Sequence, residues 1–438
     1  MPSIFPISLG CPKNLTDTEE MLGVLQARGY RIITAEPPAD IALINTCAFI
    51  ASAVQEAYAE IEKLIALKKQ GYFGKIIAAG CLVQREKEKL LKKYPEIDAI
   101  IGVGDAAQGI IEAVEGSKNT AGAEYGRNVR GIPRMLTRQE FRFPATLPHS
   151  AYLKIADGCD NACAFCTIPR LRGGYRSKPK NDIIKEAECL AAKGVREVSL
   201  VAQDTTSYGI DLYGEYRLAD LLQALEKIAG LDWIRVMYAY PERITPEILQ
   251  VMAESSKVCH YLDMPLQHIA DKILTRMGRA SSEKLIKQKI KLIRRSIPDI
   301  AIRTNFIVGY PGESEADFAG LKDFVEEYEF SKVGVFAYSR EKGTKAAALT
   351  GQLPRAVKEN RVAELTDVQS RVIDRKNKKM LGKQVKILMD LPLFGRTQYE
   401  APDIDGGVSI ASRCAPGQFV DAEFVGAEGY ILKAKLLT

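Results

Sequence analysis

The sequence predicts an α/β protein in three parts: a doubly wound N-terminal domain, a partial (β/α)6 barrel and a small C-terminal all-β barrel. Short apolar runs alternate with helical patterns through the first hundred residues and again from about residue 150, which is typical of parallel sheets. After a basic helical stretch that ends near Lys379, the pattern changes to short strands with turns. The expected boundaries are 1–115, a linker at 116–144, 145–373 and 374–438.

The composition fits a soluble cytoplasmic protein. The chain has 438 residues, 46% of them hydrophobic and 26% charged, so two to four domains are expected. No apolar run reaches the roughly 18 residues that a membrane span needs, and the amino terminus lacks a secretory layout. The net charge of +6 is mild and indicates no particular partner. Nine cysteines, an odd number in a long chain, argue against a disulfide scaffold and favour metal ligation.

The N-terminal domain is expected to alternate strands and helices. The strands are predicted at 4–9, 41–45 and 76–79, and the helices at 16–28 and 52–69. Thr16 and Glu19 are spaced as a capping box for the first helix, and Gly29 is placed to end it. Pro6 lies inside the first strand, although proline prefers sheet edges because it cannot donate to a ladder.

The rest of the chain is expected to supply two more sets of strands. Residues 116–148 lose periodicity and are rich in Gly, Asn, Arg and Pro, as in a linker. Six strands of the incomplete barrel are predicted at 152–155, 197–201, 233–237, 261–264, 301–307 and 332–336. Five strands of the small barrel are predicted at 384–389, 397–400, 407–410, 418–424 and 430–435.

Three cysteines in the segment 158–166 (GCDNACAFC) carry the clearest chemical signal. Cys159, Cys163 and Cys166 are separated by three and then two residues, directly after a predicted strand. A 4Fe-4S cluster has four irons that cysteines normally ligate, so three thiolates leave one iron open. An open iron can chelate S-adenosylmethionine and reduce its sulfonium, which releases a 5′-deoxyadenosyl radical. The alternative is a structural zinc site, which needs a fourth ligand; His149 and His260 are not at finger-like spacing.

Three further cysteines are predicted to meet at one edge of the N-terminal sheet. Cys11, Cys47 and Cys81 each fall just beyond the carboxyl end of a predicted strand, where a doubly wound sheet forms its ligand crevice. They predict a second three-thiolate cluster whose open iron holds a sulfur species. The alternative is that they are small buried residues, since free cysteine is often buried. The remaining cysteines, at 189, 259 and 414, are ungrouped and are interpreted as structural.

The motifs around these cysteines resemble the methylthiotransferase family of radical S-adenosylmethionine enzymes over the length of the chain. The segments concerned are 9–14 (LGCPKN), 45–49 (NTCAF), 80–85 (GCLVQR) and the central triad. Segments 201–209 (VAQDTTSYG) and 263–268 (DMPLQH), with CPKN at 11–14, resemble the branch that modifies a ribosomal protein rather than tRNA. The C-terminal barrel resembles a TRAM module, a fold that grips RNA.

The resemblance implies a radical S-adenosylmethionine core in the partial barrel and methylthiolation of the β-carbon of an aspartate in small-subunit ribosomal protein S-twelve. The product would be 3-methylthioaspartate. Two 4Fe-4S clusters and S-adenosylmethionine are the implied cofactors, with one S-adenosylmethionine donating the methyl group and another becoming the radical. An electron donor is also required.

Further candidate binding residues lie at the ends of the predicted barrel strands, the face where barrel enzymes keep their sites. They are Gln203, Asp204, Gln267, Arg303 and, with less specificity, His268. Gly309, Pro311 and Gly312 follow the fifth barrel strand, before a helix expected to open at Ser314, and in the superfamily a comparable segment contacts the adenosyl part. Each of these residues could equally satisfy only local hydrogen bonds, and the glycine segment alone reads as an ordinary strand-to-helix turn.

A run of cations leads into the C-terminal barrel and could contact rRNA phosphates beside the target protein. Its members are Arg375, Lys376, Lys378, Lys379, Lys383 and Lys386. The alternative is a solvated helix end, where cations favour the helix dipole.

Two competing functions stay open from the residues alone. The same radical chemistry could act on a modified adenosine in tRNA, for which a terminal RNA-binding module would serve. A non-enzymatic RNA-binding or redox-sensing protein with structural clusters would need full coordination by protein, which three cysteines a cluster do not provide.

Overall fold

The computed structural model describes residues 1–104, 106–116 and 142–437. The expected linker at 116–144 falls largely on residues 117–141, which lie outside that part of the chain. The chain forms two compact units. The first comprises Met1–Thr146, Tyr152–Asn161 and Cys166–Cys189; the second comprises Leu147–Ala151, Ala162–Phe165 and Leu190–Thr438.

The first unit contains a parallel five-stranded sheet of order β2-β1-β3-β4-β5. Its strands are β1 (Ser3–Ser8), β2 (Arg31–Ile32), β3 (Ala39–Thr46), β4 (Phe73–Gly80) and β5 (Ala99–Ile101). Its helices are α1 (Pro12–Ala27), α2 (Ala51–Lys69), α3 (Cys81–Glu86), α4 (Glu88–Lys93) and, after the last strand, α5 (Ala106–Glu115).

Helices cover both faces of this sheet, as a doubly wound fold requires. Alternate residues of a strand point to opposite faces, and the core divides accordingly. Ile41 and Leu43 of β3 pack with residues of α1 and α5, whereas Ala42 and Ile44 pack with residues of α2. The predicted doubly wound sheet is therefore confirmed.

The first helix differs from the prediction at its start. It begins at Pro12, with Cys11 as its N-cap, so the capping box expected at Thr16 and Glu19 is wrong. Proline at the first helical position has its φ angle already set and needs no hydrogen-bond acceptor, so the helix starts one turn earlier. Thr16 instead donates its hydroxyl to the Pro12 carbonyl, 2.8 Å away. Gly29 follows the helix with a φ of +87°, as predicted.

Pro6 lies in β1, the second strand of the sheet, but it does not remove a hydrogen bond between β1 and β2. β2 is two residues long and pairs only with Ser3 and Ile4. At Pro6 the outer side of β1 is thus locally an edge, where proline is tolerated.

The chain continues through short elements into the partial barrel. These are β6 (Ser150–Lys154), β7 (Ala156–Asp157), α6 (Ile168–Arg172), β8 (Arg176–Ser177) and α7 (Lys180–Ala192). β7 and β8 pair in a two-stranded sheet, and the segment with the central cysteines connects β7 to α6.

The second unit contains most of an open six-stranded sheet of order β13-β12-β11-β10-β9-β6. Besides β6, its strands are β9 (Glu197–Val201), β10 (Trp233–Val236), β11 (Val258–Asp263), β12 (Ala301–Val308) and β13 (Lys332–Ala337). The helices are α8 (Ile210–Tyr213), α9 (Leu218–Glu226), α10 (Pro246–Glu254), α11 (Asp271–Arg276), α12 (Glu283–Ser296), α13 (Glu315–Tyr328) and α14 (Arg355–Met380). Each later strand pairs in parallel with its neighbour, so the predicted partial barrel is confirmed.

A closed five-stranded barrel ends the chain, with the order β14-β15-β16-β18-β17. Its strands are β14 (Gln384–Leu391), β15 (Phe394–Arg396), β16 (Gly407–Ile410), β17 (Phe419–Glu428) and β18 (Ile431–Leu436). The strand expected at 397–400 is wrong: the Thr397 amide and hydroxyl both donate to Glu400 Oε2, which folds these residues into a turn. β15 ends just before this turn.

A chain of buried ion pairs attaches this barrel to the partial barrel within the second unit. Glu197 of β9 lies 2.9 Å from Arg235 of β10 and 2.6 Å from Arg396 of β15. Arg396 also binds Asp390 of β14, which in turn contacts His149 at 3.0 Å. All these side chains are buried, so the charges of Glu197, Arg235 and Arg396 depend on their partners.

None of the helices in the described ranges is both long enough and apolar enough to cross a membrane.

Candidate active site

Three thiols lie at the carboxyl ends of three adjacent strands in the first unit. Cys11 is the N-cap of α1 after β1, Cys47 follows the last residue of β3, and Cys81 begins α3 directly after β4. Because β1, β3 and β4 are parallel neighbours, all three cysteines are at the same edge of the sheet. This placement agrees with the sequence prediction, whereas their role as cluster ligands stays a prediction.

Asn14 holds the three cysteine loops together. Its Nδ2 donates to the carbonyl of Leu9 (3.1 Å) and to the carbonyl of Thr46 (2.9 Å), which precede Cys11 and Cys47. Its Oδ1 accepts from the Cys81 thiol at 3.6 Å. One buried amide therefore fixes the positions of all three loops.

Two glycines let the loops approach closely. Gly10 has a φ of +91°, and a Cβ there would lie 2.6 Å from Cys47 Cβ and 2.9 Å from its Sγ. Gly80 has a φ of +94°, and a Cβ there would lie 2.1 Å from Asn45 Oδ1. Both positions combine a left-handed backbone with no room for a side chain, so only glycine fits.

A buried guanidinium faces the three thiols. Arg172, the last residue of α6, donates from Nη2 to Asn14 Oδ1 (2.5 Å) and to Asp17 Oδ2 (2.8 Å). Its Nη1 lies 3.1 Å from Asp157 Oδ1. Burial alone would lower the pKa of Arg172, but Asp157, Asp17 and the thiolates of Cys81 and Cys11 raise it well above its usual value.

The thiols differ in how readily they ionise. Burial raises the pKa of Cys81 to about 12 although Arg172 opposes this effect, and burial also raises the pKa of Cys47. Burial acts in the same direction on Cys11, but Lys13 and Arg172 outweigh it and lower the pKa of that thiol. The local cations thus favour at least one thiolate, the form that binds iron.

The central cysteine segment begins with a tight backbone contact. Gly158 has a φ of +74°, and a Cβ there would lie 2.0 Å from the carbonyl oxygen of Gly174. The Cys159 amide donates to the carbonyl of Gly173 at 3.1 Å. Amides also approach the sulfurs, since Asn161 Nδ2 donates to Cys159 Sγ and the Ile168 amide donates to Cys166 Sγ, both at 3.4 Å. Hydrogen bonds of this kind stabilise thiolates and tune clusters.

Cys163 has aromatic and cationic neighbours in the second unit. Its sulfur lies 3.8 Å from the Tyr240 hydroxyl and 3.9 Å from Arg279 Nη1. The Arg279 guanidinium stacks over the Tyr240 ring at 4.1 Å. A cation beside the sulfur favours the thiolate here as well.

In the described ranges, no group of three or more His, Cys, Asp or Glu side chains is arranged to hold a metal ion. His149 binds Asp390 at 3.0 Å and His260 lies 2.7 Å from Asp299. A cluster has several irons, each bound by its own thiolate, so its ligands need not converge on a single metal ion. Each cysteine set, three thiols with a cation nearby, has the donor chemistry of such a cluster.

The candidate cofactor residues after β9 differ from each other. Gln203 Nε2 is buried and has no hydrogen-bond partner among the described residues, so it is available to a ligand. Asp204 is fully buried and accepts from the Thr206 and Ser207 hydroxyls and from Arg243 Nη1. Its carboxylate thus stabilises the loop after β9.

Gln267 and His268 follow β11 in an unusual conformation. Gln267 has a φ of +72°, which costs a non-glycine residue free energy and is found at functional sites. His268 is fully buried, its Nδ1 accepts from the Ala270 amide, and its Nε2 lies 3.8 Å from Glu313 Oε2. Burial lowers the pKa of His268 to about 4, so its ring is neutral at pH 7.

The glycine segment after β12 packs against other parts of the protein. Gly309 and Gly312 have φ angles of +71° and +83°. A Cβ at Gly309 would lie 2.4 Å from Lys358 Cγ, and one at Gly312 would lie 3.1 Å from Arg276 Cζ. The Pro311 carbonyl accepts from Arg276 Nε at 3.0 Å. Protein side chains therefore occupy the space that a Cβ would need at both glycines. The contact of Gly309, Pro311 and Gly312 with the cofactor stays a prediction.

Arg303 also has protein partners. Its Nη1 donates to Asp263 and its Nε donates to Asp405, at 3.1 and 3.0 Å. This arrangement attaches β12 to the C-terminal barrel, so a direct contact of Arg303 with a cofactor has no support from its surroundings.

The predicted cationic run is partly neutralised. Arg375 and Lys379 form ion pairs with Glu329, and Lys376 donates to the carbonyl of the same residue. Lys386 lies 4.9 Å from the ring of Phe419. Lys378 and Lys383 are exposed and remain candidates for contact with phosphate.

Sequence reasoning missed the role of Arg172 and of Tyr240 and Arg279. Arg172 lies among other basic residues at 170 and 176, a composition that predicts an exposed loop. No spacing rule connects Arg279 to a cysteine 116 residues earlier. The sequence did point to Asn14, because this residue belongs to the CPKN motif at 11–14.

Three family models match successive parts of the chain. Residues 3–102 match a model described as Uncharacterized protein family UPF0004, residues 153–325 match the Radical SAM superfamily and residues 381–437 match the TRAM domain.

Curated relatives match over the whole length. The chain is 47% identical over 439 residues to the ribosomal protein uS12 methylthiotransferase RimO of Elusimicrobium minutum, with all of both chains covered. It is 44% identical over 444 residues to the protein of that name in a Thermoanaerobacter species, with 99% of both covered.

A solved structure supports the fold. The radical S-adenosylmethionine methyltransferase TsrM of Kitasatospora setae shares 13% identity at a TM-score of 0.57, covering 79% of this chain and 77% of that one. On the full-length identity to the curated relatives, the chain belongs to the family of ribosomal protein uS12 methylthiotransferases, RimO.

Proposed function

We propose that the chain methylthiolates the β-carbon of an aspartate in uS12, which is small-subunit ribosomal protein S-twelve, and that the product is 3-methylthioaspartate. The cofactors are S-adenosylmethionine and 4Fe-4S clusters. The observation that carries the proposal is the placement of Cys11, Cys47 and Cys81 at three adjacent strand ends, in a chain that also has the 159–166 triad.

Each cysteine set has a separate role in the proposal. Cys159, Cys163 and Cys166 hold the cluster that binds S-adenosylmethionine, and Cys11, Cys47 and Cys81 hold the cluster that carries sulfur. When bound, the first cluster supplies an electron that cleaves the sulfonium and yields a carbon radical able to remove an unactivated hydrogen. The protein itself positions the thiols, through Asn14, and places cations beside them.

Gln203 and Gln267 are the candidates for direct contact with the cofactor. Gln203 has a buried amide without a partner among the described residues, and Gln267 holds a left-handed backbone at the end of a barrel strand. Asp204, Arg303, Gly309, Pro311 and Gly312 act indirectly in this proposal, since their contacts shape the loops that carry the site.

The partners follow from the substrate. An electron donor must supply the reducing equivalents, and the TRAM barrel is a candidate for contact with rRNA through exposed Lys378 and Lys383. Because the substrate is a ribosomal protein, we place the reaction in the cytoplasm.

The test uses protein reconstituted anaerobically with iron and sulfide. It is incubated with small ribosomal subunits, S-adenosylmethionine and a reductant, and uS12 is then analysed by mass spectrometry. We expect a mass gain of one methylthio group on a single aspartate. An unmodified uS12 together with methylthiolated tRNA in a parallel reaction would reject the ribosomal substrate in favour of the tRNA alternative.

Two triple variants test the assignment of the cysteines. Replacing Cys11, Cys47 and Cys81 by Ala should remove about four irons a chain and abolish methylthiolation, while 5′-deoxyadenosine still forms. Replacing Cys159, Cys163 and Cys166 by Ala should abolish both reactions. A matched triple variant at Cys189, Cys259 and Cys414 should keep full iron content and activity, and loss of iron there would contradict the assignment.

A further inference from the structure

We propose that Arg172 is a positioning residue that connects the two cysteine sets: its guanidinium fork sets the spacing between the loops, and its charge sets the reduction potential of the N-terminal cluster. This inference rests on the proposed function, because it assumes that Cys11, Cys47 and Cys81 hold a cluster.

Arg172 contacts the N-terminal thiol loops through their common organiser. Nη2 donates to Asn14 Oδ1, the atom that also accepts from the Cys81 thiol. The other atom of the Asn14 amide holds the carbonyls that precede Cys11 and Cys47. A shift of the guanidinium would therefore be transmitted to all three thiols.

The opposite edge of the same guanidinium contacts the start of the central triad. Nη1 donates to Asp157 Oδ1, and this oxygen also accepts from the amide of Gly158, the residue before Cys159. The next residue after Arg172 reinforces the contact, since the carbonyl of Gly173 accepts from the Cys159 amide. All these groups belong to the first unit.

The planar fork is essential to this arrangement. A guanidinium can donate to Asp157 from one nitrogen and to Asn14 and Asp17 from the other, whereas an ammonium is a point charge on a flexible stem. The Arg172 side chain is 1% exposed, so water cannot replace a lost contact.

The charge of Arg172 has a second consequence. A buried cation near a cluster stabilises the reduced form, which carries one more negative charge, and raises the reduction potential. The guanidinium and the Cys81 thiol both donate to Asn14 Oδ1, at 2.5 and 3.6 Å, so the charge of Arg172 lies close to that thiol. Removal of the charge should make the N-terminal cluster harder to reduce.

Arg142 provides a matched control in the same unit. Its side chain is 4% exposed and it forms buried ion pairs with Glu19 and Glu186. The groups that raise its pKa most are carboxylates, whereas those acting on Arg172 include two thiolates. Arg172→Lys and Arg142→Lys therefore make the same chemical change in two buried carboxylate networks, of which the Arg172 network faces the thiols.

The first measurement is the ratio of methylthiolated uS12 to 5′-deoxyadenosine formed by the reconstituted full-length protein. Arg172→Lys should lower this ratio by about 10- to 100-fold, the usual effect of losing an outer partner of a metal ligand, with cleavage of S-adenosylmethionine retained. Arg142→Lys should leave the ratio unchanged. A wild-type ratio in Arg172→Lys would overturn the positioning role.

The second measurement is independent of product formation. In the Cys159/Cys163/Cys166→Ala background, only the N-terminal cluster remains, and its potential is measured by reductive titration followed by electron paramagnetic resonance. Arg172→Gln should shift the potential to a more negative value, whereas Arg172→Lys should keep it near that of the parent. An unchanged potential in Arg172→Gln would overturn the electrostatic role. If Arg172→Gln does not fold, Arg172→Lys decides, since it keeps the charge; a potential in Arg172→Lys that differs from the parent's would then overturn the electrostatic role.

The two proposals fail differently. If the wild-type protein leaves uS12 unmodified but the potential responds to Arg172→Gln, the proposed substrate is wrong and the electrostatic role stands. If the wild-type protein modifies uS12 and both Arg172 variants behave as the parent, only the inference about Arg172 fails.

Discussion

Replacement of Gly10 by Ala should prevent assembly of the cluster proposed at Cys11, Cys47 and Cys81 without unfolding the protein. A left-handed backbone costs a non-glycine residue about 1–2 kcal/mol, a small part of the roughly 5–15 kcal/mol that stabilises a domain. The new Cβ would lie 2.6 Å from Cys47 Cβ. Carbon atoms pack at about 3.5–4 Å, so Cys47 would have to move by roughly 1 Å. Metal–ligand distances stay within about 0.2 Å of their usual values, so a shift of this size is expected to prevent ligation by Cys47.

The assay is iron and sulfide content after anaerobic reconstitution, combined with thermal unfolding of the metal-free protein. Gly10→Ala should fall from about eight irons a chain to about four, lose methylthiolation and keep formation of 5′-deoxyadenosine. Gly29→Ala is the control, since Gly29 has a φ of +87° and a Cβ added there would meet no other described part of the chain within 4 Å. It should show the same backbone cost with full iron content. Full iron content and activity in Gly10→Ala would refute the reasoning.

Three further predictions concern stability. The pKa of His268 is about 4 in the folded protein against 6.5 when unfolded, so the unfolded state binds the proton first and stability falls as the pH drops from 6.5 to 4. The loss is about 3 kcal/mol, and His268→Gln should show a flatter pH dependence of the unfolding free energy; equal slopes would contradict this. Glu197→Ala removes the carboxylate partner of Arg235 and one of the two carboxylate partners of Arg396, and should cost about 3–5 kcal/mol in denaturant unfolding; an effect below about 1 kcal/mol would indicate that the pairs are not buried in solution. Gln267→Gly relieves a left-handed backbone and should raise the unfolding free energy by up to about 1 kcal/mol, while weakening S-adenosylmethionine binding in a calorimetric titration; unchanged binding would remove Gln267 from the site.

The order of elements could be predicted because apolar periodicity reflects local geometry. The position of Cys47 and Cys81 after buried strands followed from the same periodicity, since the strands β3 and β4 end next to them. The start of α1 was predicted wrongly because Thr16 and Glu19 match a capping box by spacing alone. Glu19 instead pairs with Arg142, a contact across 123 residues that no local pattern contains.

Residues whose role depends on distant partners could not be assigned from the sequence. Asp204 and Arg303 lie at strand ends as expected, but their partners are Arg243 and Asp405, 39 and 102 residues away. Arg172 reaches Asn14 across 158 residues. The position of a residue along a strand is a local property that the sequence pattern reveals. The partner that neutralises a buried charge is set by the tertiary structure.

The ion pairs of Glu197 and Arg396 fix the C-terminal barrel on the partial barrel instead of leaving it on a tether. A macromolecule bound to a tethered module samples many orientations, and it reacts only in the fraction of time that it spends in a productive one. With a fixed attachment, the orientation of whatever the barrel binds is decided at the moment of binding. Mutations that remove the ion pairs of Glu197 should thus reduce the rate at which bound targets react, even where the affinity of the targets for the barrel is unchanged.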